Sequence, residues 1–173
     1  MTSLDWQPWT ADLVADPVAA FLGGWSHAAD VQTAAIDADL ADTAAFCETY
    51  GVALADSANC VVIAGKRGDV VTYAACVVLA TTRADVNGVV RKRLNAKKAS
   101  FAPMDDAVTR SGMEYGGITP LGLPADWPVL VDAAVLERAA VVIGSGLRRS
   151  KILLPPHALA EVPTAEVVTG LAG

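Results

Sequence analysis

The chain has 173 residues, 53% of them hydrophobic, a length and apolar content that suit one domain around one core. Its net charge of -6 excludes a chain that is basic throughout, of the kind that coats nucleic acid. No apolar run approaches the roughly 20 residues that span a bilayer, and residues 1–9 lack the basic start of a secretion signal, so a soluble cytoplasmic protein with no membrane partner is expected.

In chain order, Asp16-Pro17 reads as the cap and first turn of a short helix that Gly23-Gly24 stops. Residues 31–36 form an ambiguous strand, and Asp42 caps a helix running to Tyr50 and closed by Gly51. Cys60 to Ala64 and Val70 to Thr81 are β-branched apolar runs flanking Gly65-Lys66-Arg67-Gly68-Asp69, which has the composition of a hairpin turn. Asp85 caps a helix through Leu94, Lys97 to Phe101 reads as a strand, and Asp105 or Asp106 caps a helix ending at Gly112. Val129 to Asp132, Ala139 to Ile143, Lys151 to Leu154 and Glu166 to Val168 are short strands separated by Gly or Pro. Without regular βαβ alternation, and with several connections too short for a crossover helix, the expected class is α+β with a mixed, largely antiparallel, barrel-like sheet flanked by helices. One domain over residues 1–173 is expected.

The charge is unevenly spread. Residues 1–58 contain nine acids and neither Lys nor Arg, whereas Lys66, Arg67, Arg83, Arg91, Lys92, Arg93, Lys97 and Lys98 cluster in the middle of the chain. That cluster reads either as a local phosphate-binding face, with Arg91, Lys92 and Arg93 as its centre, or as an ordinary solvated helix face. Cys47, Cys60 and Cys76 form no CxxC pair and have only His27 and His157 for company, so they read as small packing residues, with no metal site, disulfide framework or cofactor expected.

Two glycine-rich stretches carry the remaining signal. Residues 114–124, Glu-Tyr-Gly-Gly-Ile-Thr-Pro-Leu-Gly-Leu-Pro, suit either a backbone cradle for a carbonyl or developing oxyanion, or a conformationally demanding connection. Gly144-Ser145-Gly146-Leu147-Arg148-Arg149 begins like a dinucleotide loop but lacks the third glycine and the following helix, which rules out that site.

Taken together, the hairpin, Lys97-Lys98-Ala99-Ser100-Phe101-Ala102, Gly116-Gly117-Ile118-Thr119-Pro120, Val129-Leu130-Val131-Asp132 and Ile143-Gly144-Ser145-Gly146 resemble, in this order, the YbaK/EbsC-like family. These are free-standing relatives of the prolyl-tRNA synthetase editing domain. The resemblance covers about two thirds of the chain and leaves a divergent acidic part over about 1–55. It implies an aminoacyl-tRNA deacylase that hydrolyses the ester of a mischarged tRNA at its single-stranded 3' end, without DNA as a partner and in association with an aminoacyl-tRNA synthetase. It also implies that Asn59, Gly116, Gly117 and Asp132 surround the reaction and that Thr119, Pro120, Gly144, Ser145 and Gly146 bind the substrate; phosphate contacts need local positive charge, so Arg91, Lys92 and Arg93 are expected to meet the tRNA. Editing members carry a lysine just before the first hairpin strand, and Asn59 stands there in this chain. The neutral amide keeps open a second reading, a catalytically silent module that binds an aminoacyl-adenosine-like ligand or a regulatory partner.

Overall fold

The computed structural model of the protein describes residues 2–173. In chain order it contains β1 (Gln7–Pro8), α1 (Asp16–Leu22), β2 (Gln32–Ala35), α2 (Thr43–Tyr50), β3 (Ala58–Arg67), β4 (Val70–Leu79), α3 (Arg91–Arg93), β5 (Lys98–Phe101), α4 (Met104–Ser111), β6 (Val129–Asp132), β7 (Val141–Gly144), β8 (Ser150–Leu154) and β9 (Ala165–Val168). Short 3-10 turns fill many of the connections. Two sheets form, one of order β1-β2-β8-β7 and entirely antiparallel, the other of order β5-β3-β4-β6-β9. In the second sheet β4, β6 and β9 run parallel, while β3 pairs antiparallel with β4 and β5. A single bridge between Ser57 and Val142 ties the two sheets together beside β3. The fold is α+β, as expected.

The hairpin turns more tightly than its composition suggests. Gly65-Lys66-Arg67 continue β3, and the chain reverses over Gly68 and Asp69 alone, with Gly68 at φ 61°. A Cβ on Gly65 would stand 3.0 Å from the side chains of Leu94 and Ala96, so this glycine serves packing and not the turn. Three helix starts also shift: Ala15 precedes α1, Pro103 precedes α4, and residues 86–90 form a π-turn before α3, held by the Asp85 carboxylate, which accepts from the N–H groups of Gly88 and Val89.

From Ala74 to Leu79, β4 is an unbroken apolar run because both of its faces are covered there. Ala75, Val77 and Leu79 pack into the main core with Val129, Val131, Ile143 and Ile152, which joins the two sheets. The alternate residues Cys76 and Val78 face a second core with Ile63, Val90, Leu130 and Leu171. Each fully buried Leu, Ile or Val contributes on the order of 1.5–3 kcal/mol, so these two layers fix the sheet on which the site is built. No helix among the described residues is long and apolar enough to cross a membrane.

Candidate functional site

The site begins with an interrupted ladder. Ala80 N–H donates to Ser57 C=O at 2.8 Å, so odd-numbered residues of β3 point their backbone groups at β4 and even-numbered ones point the other way. On that other side, Val62 C=O accepts from Ala102 N–H and Lys66 C=O from Lys97 N–H, both at 2.8 Å, and β5 pairs only with Ile63 to Lys66. The Ser57–Val142 bridge lies at the opposite end. Between them Cys60 has neither its N–H nor its C=O in a ladder, and this open edge forms one wall of a cavity of about 410 Å³, a size usual for small-ligand sites.

The cavity is polarised along β3. Near Ser57 and Asn59 it is bounded by Ala41, Asp42 and Thr43 at the start of α2 and by Lys151 of β8. Near Val62 it is bounded by Ala102, Ala107 and Ile118. Phe101, Met104 and Tyr115 also line it while remaining 63%, 52% and 58% exposed, so an apolar and aromatic rim surrounds the entrance.

Asn59, the position where the resemblance calls for a lysine, does reach the cavity. Its side-chain oxygen accepts from the Thr43 hydroxyl at 2.6 Å, which leaves the amide's N–H donors for a ligand. Cys60 shares the wall, but burial, with neighbouring Cys76, pushes its thiol well above the ordinary range. The Cys76 thiol, buried in the second core, is pushed up to about 12. Neither sulfur is an activated nucleophile.

The two glycine stretches interlock behind the opposite wall. Gly146 N–H donates to Gly117 C=O at 2.7 Å, and Glu114 N–H to Gly146 C=O at 2.9 Å. A Cβ on Gly117 would lie 2.7 Å from the Leu147 carbonyl oxygen, and one on Gly144 would lie 2.5 Å from the Gly117 carbonyl oxygen. Arg148 fastens the assembly from outside: its N–H donates to Glu114 Oε1 at 2.8 Å, its Nη1 to Tyr115 C=O at 3.2 Å, and it stands 3.7 Å from Asp42.

Of the residues that the resemblance puts in the site, Asn59, Gly116 and Gly144 line the cavity. Gly117 supports it through the loop contact, and Ser145 is buried, hydrogen-bonded to the Ser150 hydroxyl at 2.7 Å. Gly146, at φ 88°, lies against Ala15 and Val18, beside a separate shallow groove. Thr119 and Pro120 are buried outside the cavity lining, the Thr119 hydroxyl without a hydrogen-bond partner. Asp132, 3% exposed, ends β6 opposite Val168 of β9 and is not part of the lining. Arg91, Lys92 and Arg93 follow Val90, which packs into the second core, and none of the three lines the cavity; Arg91 donates to the Asn87 carbonyl and Arg93 pairs with Glu166.

The sequence reading missed Lys151, which is only 7% exposed. It lies opposite Gly144 and Ala34 on its neighbouring strands, and directly opposed residues share a sheet face, so it extends between two positions that offer little or no side chain. Its ammonium donates to Ala41 C=O at 2.9 Å and stands 5.1 Å from the centre of the Phe46 ring. Burial lowers its pKa from 10.5 to about 8, opposed by Cys47 and Asp42 and assisted by Arg148. The available signal was alternation: Lys151 shares a strand face with Leu153, which packs with Phe46 and Cys47. Among the described residues no group of His, Cys, Asp and Glu side chains converges as a metal site would require.

Residues 37–162 match the aminoacyl-tRNA editing domain family. The uncharacterized protein YwhH of Bacillus subtilis (strain 168) is 27% identical over 120 residues, which cover 69% of this chain and 73% of that protein. The crystal structure of a hypothetical protein, APE2540, superimposes with a TM-score of 0.77 at 20% identity, covering 91% of this chain and all of that one. A second crystal structure, of a proposed trans-editing enzyme for prolyl tRNA synthetase, gives a TM-score of 0.75 at 18% identity over 88% of this chain and 93% of that one. At these identities the two structures establish a shared fold.

Proposed function

We propose, on the premise that this chain belongs to the aminoacyl-tRNA editing domain family, that it is a deacylase hydrolysing the ester between an amino acid and the 3' end of a tRNA. The observation that carries the reading is one of coincidence: every residue lining the polarised cavity lies between Ala41 and Lys151, inside the span 37–162 that matches the family. An aminoacyl ester has an ammonium group, a carbonyl, a side chain and a ribose-adenine leaving group, and the cavity offers each a complementary surface. The Cys60 C=O accepts from the ammonium group, and the Cys60 N–H and Asn59 amide offer donors to ester oxygens. The Val62, Ala107 and Ile118 end takes a small side chain, and the Phe101, Met104 and Tyr115 rim stacks on the base.

With the Cys60 thiol held neutral, water is the nucleophile. Water oxygen adds to the ester carbon, the carbonyl electrons move onto oxygen, and the ester C–O bond then breaks as the ribose oxygen takes up a proton. The products are the free amino acid and an uncharged tRNA, and this substrate puts the reaction in the cytoplasm. Cavities distinguish a single methylene by only about 1–3 kcal/mol, which is why a second hydrolytic check on charged tRNA is useful. The test is single-turnover hydrolysis of tRNAs charged with Ala, Ser, Cys and Thr. At least one substrate is expected to be cleared well above its uncatalysed rate. Uncatalysed rates on all four would leave a ligand-binding module in place of a deacylase.

A further inference from the structure

We propose that Lys151, from β8, is the catalytic cation of this cavity, its ammonium donating to the ester carbonyl oxygen and stabilising the oxyanion that forms when water attacks. This rests on the deacylase reading for the identity of the ester. The assignment itself comes from geometry. Lys151 is almost fully buried, lines the cavity, and spends one of its three N–H donors on Ala41 C=O. No carboxylate forms a salt bridge with it among the described residues. Folding alone gives little reason to bury an amine against one carbonyl and one aromatic ring, because desolvating a charge is unfavourable unless it is paired. An anionic oxygen arriving in the cavity supplies the missing partner.

The surroundings hold the ammonium in place and leave it free to act. Phe46 of α2 and the Ala41 carbonyl just before that helix fix its position. Asn59, whose amide oxygen is engaged by Thr43, contributes a second, neutral donor to the same polar end. In the balanced step, the carbonyl π electrons settle on the oxygen facing Lys151 as the water oxygen bonds to carbon. They return when the C–O bond to ribose breaks, and the lysine keeps its proton throughout.

The titratable and charged groups around Lys151 are Asp42 just before α2, Cys47 of α2, Arg148 from the loop after β7, and Cys60 and Tyr115 in the cavity lining. Burial raises the Cys47 and Cys60 thiols, so they stay neutral where the amine titrates, near pH 8. A lysine acting as a cation therefore gives a distinctive profile: the ratio of wild-type to Lys151→Met rates falls as pH rises through about 8.

The experiment compares wild type, Lys151→Met and Lys151→Arg in single-turnover deacylation from pH 6.5 to 9.5. A parallel arm measures calorimetric binding of 3'-alanylamino-3'-deoxyadenosine, in which an amide replaces the ester, and a melting curve is taken for each protein. Lys151→Met is expected to slow hydrolysis by about 100-fold or more, to weaken analogue binding by about tenfold, and to raise Tm, because it removes a buried charge. Lys151→Arg keeps the charge but not the fit, and should recover part of the analogue binding. A Lys151→Met protein with wild-type rate, or one that melts earlier than wild type and loses activity for that reason, overturns the proposal. Should wild type hydrolyse no aminoacyl-tRNA, it is the deacylase reading that falls. The binding arm then decides the lysine: tenfold weaker binding in Lys151→Met upholds it as the cavity's ligand-binding cation, and equal or absent binding in both proteins overturns it.

Discussion

The two halves of β3 are a few residues apart and have opposite fates. From Ile63 to Arg67 the strand is paired on both edges, by β4 and β5 for most of its length, and its backbone groups are consumed by the sheet. From Ala58 to Val61 it keeps β4 and lacks β5, and its free edge lines the cavity. Apolar side chains do not separate the two halves: Ala58, Cys60 and Val61 stand in one, Ile63 and Ala64 in the other. What differs is where the neighbouring strand stops: β5 ends at Phe101 and the chain leaves at Ala102 to begin α4. Binding capacity here comes from the end of a ladder as much as from any side chain.

Proline breaks this comparison most sharply, because it deletes one N–H. At Ala64 that N–H points toward β5, so Ala64→Pro should destabilise the fold by about 3 kcal/mol or more, seen as a large fall in the denaturation midpoint. At Cys60 the same deletion faces the cavity, so Cys60→Pro should melt close to wild type yet lose ligand binding and hydrolysis. Equal destabilisation by both would show that the free edge is structural.

A second consequence follows from Lys151, whose folded-state pKa is about 8 against 10.5 in its ordinary state. Below pH 8 folded and unfolded chains both carry the proton, and the penalty for burying the charge is present in full. Between about 8 and 10.5 the unfolded chain holds more protons than the folded one, so stability rises with pH across that window. The shift corresponds to about 3 kcal/mol at most. Urea titrations of wild type and Lys151→Met should therefore differ at pH 7, with the variant more stable, and converge toward pH 10.5. A gap that stays constant over this range would refute the burial penalty.

The smallest effect belongs to Asn59 and Thr43, one neutral hydrogen bond worth about 1 kcal/mol. Asn59→Ala should lower stability by that amount and slow hydrolysis by about tenfold. Thr43→Val should match the stability loss while sparing more of the rate, since it leaves the Asn59 amide in the cavity. Identical rates for the two variants would assign Asn59 a purely structural role.

Much of this architecture is written in local signals. Asp42 stands at the N-cap position of α2, though without a side-chain capping hydrogen bond, Gly51 closes the helix at φ 71°, and the β-branched runs around Gly68-Asp69 mark the hairpin. The resemblance brought Asn59, Gly116 and Gly144 to the cavity, because each belongs to a motif with a fixed place along its strand or loop. Lys151 was not legible in that way. A lysine at the start of a short strand looks solvated until α2 and the residues before it, 110 positions away at Ala41, are known to cover it. The open edge at Cys60 was hidden for a related reason: it depends on the residue at which β5 ends, and helix and strand boundaries are poorly determined by local sequence. The basic run at Arg91, Lys92 and Arg93 was plain in the sequence, but nothing local shows on which side of the sheet α3 lies.

The interlocked glycine stretches also constrain how such a protein can diverge. Gly117 and Gly144 each exclude a side chain because a carbonyl oxygen of the opposite stretch occupies the space, so neither can change alone without displacing backbone. Variation should accordingly reach the two stretches in paired steps, with second-site suppressors of a defect in one arising in the other. New specificities would accumulate first along the Val62, Ala107 and Ile118 end, where side chains are free to vary without moving the loops.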